Sequence, residues 1–302
     1  FWLRRGFACA CSRGTPSRRG FSAARTSTAR PGATGRTMAS ESGLELVLRP
    51  HAFRFAAYSL LVGLLVVCIV LTRMFTVPAG ALDLEDNVLI NTFGYNNICV
   101  YIDDLLAKYV AIWLWCIFVI AWWIYEGLMW VQIRGQYRLG LVSEGWYRAF
   151  LAITIFDVVG VSYSISIFAV HPKQNFVMHT IPFSALIVVV SLNAFRNIIF
   201  GLDDVAGTGF GYSAAGLSRG SRWSMYAYLV LLLANSVAKI TFQFQGIVKN
   251  NPPPVWLGRA NDIFWTVLAL LVPWARAGYV VTCGKEGTLP VRVAFKPGVD
   301  PA

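Results

Sequence analysis

Charge is scarce in this sequence. Asp, Glu, Lys and Arg make up 14% of its 302 residues, while hydrophobic residues make up 56%. Soluble globular chains carry about a quarter charged residues, so an ordinary water-soluble domain is excluded. Histidine occurs three times, and no H-E-x-x-H, G-x-S-x-G or helical D-D-x-x-D pattern is present, which leaves an enzyme the least supported class. The six cysteines (Cys9, Cys11, Cys68, Cys99, Cys116, Cys283) form no C-x-x-C pair and outline neither a disulfide framework nor a thiolate metal site. No motif asks for a cofactor. The acid pairs Asp103-Asp104 and Asp203-Asp204 fall in loops, where such pairs cap helices or stay solvated. The two halves share neither loop lengths nor charge positions, so there is no internal repeat.

The formal net charge of +11 is unevenly placed, because eight arginines precede Met38 with no acid among them, leaving +3 for the remainder. No basic patch with interleaved aromatics remains, and nucleic acid is not an expected partner. Residues 1–37, rich in Arg, Ser and Ala, have the composition of an organellar transit segment, and Arg19-Gly20-Phe21-Ser22 resembles a matrix-protease site. A competing reading starts synthesis at Met38 and treats what precedes it as a translated leader. Either way the segment stands outside the fold, as a disordered leader.

Long apolar runs are what the sequence has in abundance. After a short amphipathic lead-in over residues 38–52, ended by Pro50, six runs of membrane length cover about 53–71, 108–131, 149–170, 180–202, 223–246 and 262–282, followed by an irregular tail over 283–302. The fold class read from this is an all-α integral membrane protein, a bundle of six transmembrane helices in the lipid bilayer. Lys and Arg concentrate in the loops after the second and fourth spans and in the tail, which puts both termini on the cytosolic or matrix side. The acidic connection 74–107 and the turn 171–179 then face the other way. Arg54 and Arg73 end the first span, where long side chains snorkel.

The second span, KYVAIWLWCIFVIAWWIYEGLMWV from Lys108 to Val131, organises the rest, since its single acid, Glu126, lies inside the apolar run and must find a partner. Counting about 1.5 Å per residue places Asp157, Arg196 and Arg276 in the same inner half of the membrane, two acids against two bases. Lys239 lies in the outer half of the fifth span with no acid of a neighbouring span at its height. Asn235 and Gln243 share its helix face, and Gln245 is nearby. Two readings follow. In one, Glu126, Asp157, Arg196, Asn235, Lys239, Gln243 and Arg276 line a path for an ion, proton or small polar solute. In the other, the inner charges are a structural ion-pair network and Lys239 snorkels outward.

Several local patterns carry resemblances. Residues 234–242, ANSVAKITF, resemble the retinal-lysine segment of microbial rhodopsins, in which a lysine of the final helix forms a Schiff base; here another full span follows, and the aromatic-flanked counterion motif is missing. Phe264-Trp265 with Val272-Pro273-Trp274 is similar to a mid-chain segment of heliorhodopsins. The run Gly207-Thr208-Gly209-Phe210-Gly211-Tyr212 resembles a potassium-channel filter with one residue missing, and a flexible glycine loop accounts for it. His171 and His179 bracket one turn without a third metal ligand and read as solvated turn histidines, with His179 capping the fourth span. Trp113, Trp115 and Trp130 lie near span ends as interfacial anchors, whereas Trp122 and Trp123 fall in mid-membrane, so at least one packs on a neighbour. Gly160, Ser162, Ser164 and Ser166 let another helix approach the third span.

The reading that follows is a channel or transporter, with a non-catalytic subunit of an organellar membrane complex, in the mitochondrial inner membrane, as the alternative and a retinal-binding protein as a third. The chain is expected to act as a homo-oligomer or within a larger assembly. Transport needs the charged faces to converge on a hydrated cavity, whereas a complex subunit has a dry interior, paired charges and an aromatic-rich flank.

Overall fold

The computed structural model describes residues 45–199, 219–283 and 291–294. Residues 47–293 form one unit, which holds the helices, and Phe1–Leu46 with Ala294–Ala302 form another. The leader and the glycine-rich run 207–212 lie outside the described residues.

Among the described residues, six stretches are long and apolar enough to cross a membrane: Pro50–Thr76, Leu106–Arg138, Glu144–Phe168, Phe176–Ile199, Trp223–Ile247 and Val255–Thr282. A chain in hydrocarbon must satisfy each backbone N–H and C=O within itself, so apolar runs of this length become helices. The helices are α1 (Pro50–Leu71), α2 (Val88–Phe93), α3 (Leu105–Arg138), α4 (Glu144–Ser164), α5 (Phe176–Ile199), α6 (Arg219–Ile247), α7 (Val255–Thr266) and α8 (Val272–Cys283). Each span packs on the next in chain order, and α8 closes the ring against α1.

Three boundaries differ from the sequence reading. Pro50 opens α1 instead of ending a lead-in, because the first turn of a helix has no use for the N–H that proline lacks. The sixth span starts at Val255, directly after Pro254, so Asp262 sits two turns inside it. Residues 45–48 and 291–294, read as amphipathic lead-in and irregular tail, are short strands β1 and β2 of one two-stranded sheet.

The connection 74–107 is a structured cap on one end of the bundle. Asn87 caps α2 by accepting from the Leu89 and Ile90 N–H groups at 3.0 and 3.1 Å, and Gly94 closes it at φ 76°, a left-handed conformation that suits glycine. A 3₁₀ turn, Ile98–Tyr101, follows. The cap packs closely where glycines leave room: an added Cβ would meet Phe93 at 2.5 Å from Gly246 and Tyr95 at 2.5 Å from Gly258.

Within the sixth span, α7 and α8 are joined by a π-helical segment, Val267–Leu271, just before Pro273. Proline cannot supply the N–H that the Leu268 carbonyl would take in a π turn, and the Tyr228 hydroxyl of α6 donates to that carbonyl at 2.9 Å instead.

Candidate functional site

Among the described residues, five ionisable side chains of the spans, Glu126, Asp157, Arg196, Lys239 and Asp262, meet in two separate networks. At the end away from the cap, α3, α4 and α5 converge on Arg196, which donates to Glu126 through both terminal nitrogens at 2.5 and 2.7 Å and to the Thr154 hydroxyl at 2.8 Å. Asp157 lies 3.5 Å from the same guanidinium. Asn193, one turn before Arg196, donates through its single amide nitrogen to Glu126 at 2.9 Å and to Asp157 at 3.0 Å. Glu126, Asp157, Asn193 and Arg196 are all buried. Asn193 was missed from sequence because a neutral amide in an apolar run carries no charge signal; its spacing of three from Arg196 was the available clue.

Arg276 does not join this cluster. It borders a cavity of about 180 Å³ together with Arg54, Met225 and Tyr228, and its Nη2 is 3.6 Å from the Met225 sulfur. Arg54, expected to snorkel, is buried beneath aromatic rings, its guanidinium carbon 5.8 Å from the Tyr58 centroid and 6.0 Å from that of Tyr125. Arg73, at the other end of the first span, is exposed and donates to the Tyr101 hydroxyl.

The second network corrects the reading of Lys239 as unmatched. Its ammonium pairs with Asp262 of α7, and the Phe183 and Trp265 rings flank it at 5.4 and 5.2 Å. Hydropathy starts the sixth span at Asp262 itself, whereas the helix begins at Val255 and carries this acid inside. Asn235 and Gln243 bind elsewhere: the Asn235 carbonyl accepts from Asn261 at 3.2 Å, and the Gln243 side chain accepts from Ser184 at 3.0 Å. Burial, with the charge of Asp262 beside it, pushes the Tyr95 hydroxyl of the cap upward.

The histidines also differ from expectation. His179 is buried, its Nδ1 donates to the Val170 carbonyl at 2.9 Å, and its Nε2 lies 3.3 Å from Asp103. His171 Nε2 lies 3.3 Å from Asp104. Adjacent carboxylates at the end of the cap thus face two histidines of the turn before α5. Burial, reinforced by Asp104, holds the Asp103 carboxyl well above its usual range. Burial and the Asp103 charge push up the Cys99 thiol of the 3₁₀ turn.

Between the two charge networks lies a cavity of about 80 Å³ lined by Tyr58, Trp115, Phe118, Trp122, Phe183 and Trp265 among others, with Cys99 and Ile102 of the cap on its border. None of the seven path residues named from sequence lines it. Its lining includes an aromatic cluster in which Trp122 meets Tyr58 edge-on at 5.8 Å and Phe118 at a tilt at 5.7 Å between ring centroids. Trp122 packs inward as expected of one of the mid-membrane pair, while Trp123 is exposed and donates to Ser162 at 3.1 Å. Trp115, read as an interfacial anchor, is instead buried against Phe118 and Phe168.

Among the described residues no group of three or more His, Cys, Asp or Glu side chains is placed to hold a metal ion. In comparisons with known proteins, the chain matches no family, no curated protein and no solved structure.

Proposed function

We propose that this polytopic membrane protein is a carrier for a small solute, not an open ion path. The observation that carries this reading is that Glu126, Asp157 and Arg196 close on one another, as do Lys239 and Asp262, and that none of these five lines the apolar central cavity. A conducting path needs hydrated polar groups in sequence along its length. Charge pairs that bridge different helices on either side of a central cavity instead suit gates, since they part when the helices rock and re-form when they return. Arg196 ties α5 to α3 and α4, and Lys239 ties α6 to α7.

The reading is tested by coupling between the two ends. In a variant keeping Cys99 as its single cysteine, maleimide labelling reports opening of the cap over the cavity. Two gates of one carrier are linked, so Glu126→Gln, which loosens the far gate, is expected to slow Cys99 labelling about threefold or more by favouring the state closed at the cap. An unchanged rate in a folded variant rules the carrier out.

A second reading, a non-catalytic subunit of a larger membrane assembly, is favoured by a stripe on α3. Leu106, Tyr109, Trp113, Ile117, Ile120 and Ile124 are all exposed and recur at helical spacing along one face. The acid-free, arginine-rich leader supports the mitochondrial inner membrane as its compartment. Gentle extraction and native electrophoresis separate the readings, because a subunit migrates with its assembly and a carrier alone or as a small homo-oligomer.

A further inference from the structure

At the end of the bundle away from the cap, α3 runs on past the hydrocarbon. Its 34 residues span about 51 Å at about 1.5 Å each, against a hydrocarbon core of about 30 Å. The apolar run ends at Val131, and the last two turns carry Gln132, Arg134, Gln136 and Arg138. Arg134 and Arg138 are exposed and stand four residues apart on one helix face, where side chains begin about 5–6 Å from each other. Neither meets a carboxylate among the described residues, since the one acid of the hairpin between α3 and α4, Glu144, pairs with Arg148 at 2.5 Å.

Aromatic rings hold this end of the hairpin together. The Trp130 indole N–H donates to the Tyr147 hydroxyl of α4 at 3.2 Å, and Tyr147 stacks on Tyr137 with centroids 4.7 Å and planes 11° apart. The Arg134 guanidinium carbon lies 5.3 Å from the Trp130 centroid. A guanidinium held over a ring keeps its N–H donors in its own plane, where an anion reaches them from the edge. The turn that follows exposes Leu139, Leu141 and Trp146, although a turn that meets only water is ordinarily polar. On α3 itself, the exposed residues Ile117, Ile120, Ile124 and Val131 recur at helical spacing and lead along the same face to Arg134 and Arg138. One leaflet's half of the core, about 15 Å, corresponds to about ten residues of this apolar strip. An apolar strip of leaflet depth that ends in two cations has the polarity pattern of an anionic amphiphile standing beside it.

We propose that this end of α3 is a binding site for an anionic phospholipid of the bilayer. Arg134 and Arg138 donate to the phosphate oxygens, and the acyl chains lie along the strip from Val131 back toward Ile120. The apolar strip selects a lipid over free phosphate, and the arginine pair selects an anionic headgroup over a zwitterionic one. The inference stands on the far end of α3, so it goes beyond the carrier reading and does not depend on it.

Native mass spectrometry of the purified full-length chain tests it, in detergent holding equal amounts of phosphatidylglycerol and phosphatidylcholine with the same acyl chains. The expected result is phosphatidylglycerol adducts roughly tenfold more abundant than those of phosphatidylcholine, as two arginines at a lipid surface provide. Arg134→Gln with Arg138→Gln is expected to bring the two lipids to about equal abundance. Both side chains are exposed, so the melting temperature of this variant is expected to match the wild type. Arg73→Gln with Lys249→Gln removes two exposed charges at the cap end instead and is expected to leave the preference unchanged. Equal abundance of the two lipids on the wild-type chain overturns the site. So does a preference that survives loss of Arg134 and Arg138, or one that falls as far in the cap-end variant, since net charge alone then accounts for it.

Discussion

Arg196 holds two carboxylates at full burial, and that sets what its removal does. Arg196→Met leaves Glu126 and Asp157 facing each other at full burial and is expected to cost about 3–5 kcal/mol, the range for stripping one partner from a buried pair. Glu126→Gln keeps an acceptor for Arg196 and costs less; thermal denaturation in detergent ranks the two. The Lys239–Asp262 pair gives a sharper form of the same test. Asp262→Asn alone strands a buried ammonium and destabilises strongly, whereas Lys239→Met with Asp262→Leu is expected to recover most of the loss, because an apolar pair fits the site. If the double variant is as unstable as the single one, the pair does not account for the loss. At this scale the sequence shows the acids and bases but not their partners. Glu126, Asp157 and Arg196 were legible because depth along three helices can be counted. Arg54 was not, since an arginine at a span end reads the same whether it snorkels or slides beneath Tyr58 and Tyr125.

Among the elements, the cap joins the polar network to the cavity. Asp103 faces His179 at 3.3 Å, with Asp104, Lys108 and Cys99 as the other ionisable neighbours. Its carboxyl, raised above the ordinary 3.8 by burial first and by Asp104 second, keeps its proton in the folded chain at a pH where the unfolded chain has lost it. The folded state then binds more protons, so this contribution is full in acid and is lost as pH climbs from about 4 through the folded value. Melting temperature is therefore expected to fall over that window, and Asp103→Asn to flatten the slope; an identical slope in the variant would clear Asp103 of the effect. A second prediction concerns α4 and α5. A Cβ built on Gly160 comes within 2.2 Å of a Val189 methyl, which bears out the close approach expected of the third span's small residues. Overpacking of about 1–3 kcal/mol outweighs the roughly 1 kcal/mol that alanine gains in helix propensity, so Gly160→Ala is expected to destabilise modestly and Gly160→Leu severely. Element ends were the least legible part: the polar stretch Gly258–Asp262 reads as loop in a hydropathy average, yet it forms the first turns of a helix that opens after Pro254. The histidine–carboxylate contacts join residues 67 or more positions apart, a separation that no local pattern encodes.

At the largest scale, the helical unit, residues 47–293, is a ring of the six described spans, and these were legible from hydropathy alone because hydrocarbon leaves the backbone no alternative to a helix. The apolar cavity among them was not legible, since an aromatic that faces lipid and one that faces a cavity have the same sequence signature. On the proposed reading, the charges gate and fix this ring and do not conduct through it. The most direct test is proton and potassium flux across liposomes containing the purified chain, read with an internal pH dye and with a potassium diffusion potential. Wild-type flux is expected to equal that of empty liposomes and to be unchanged by Lys239→Met. Flux well above the empty control that Lys239→Met abolishes would contradict it and restore the ion path.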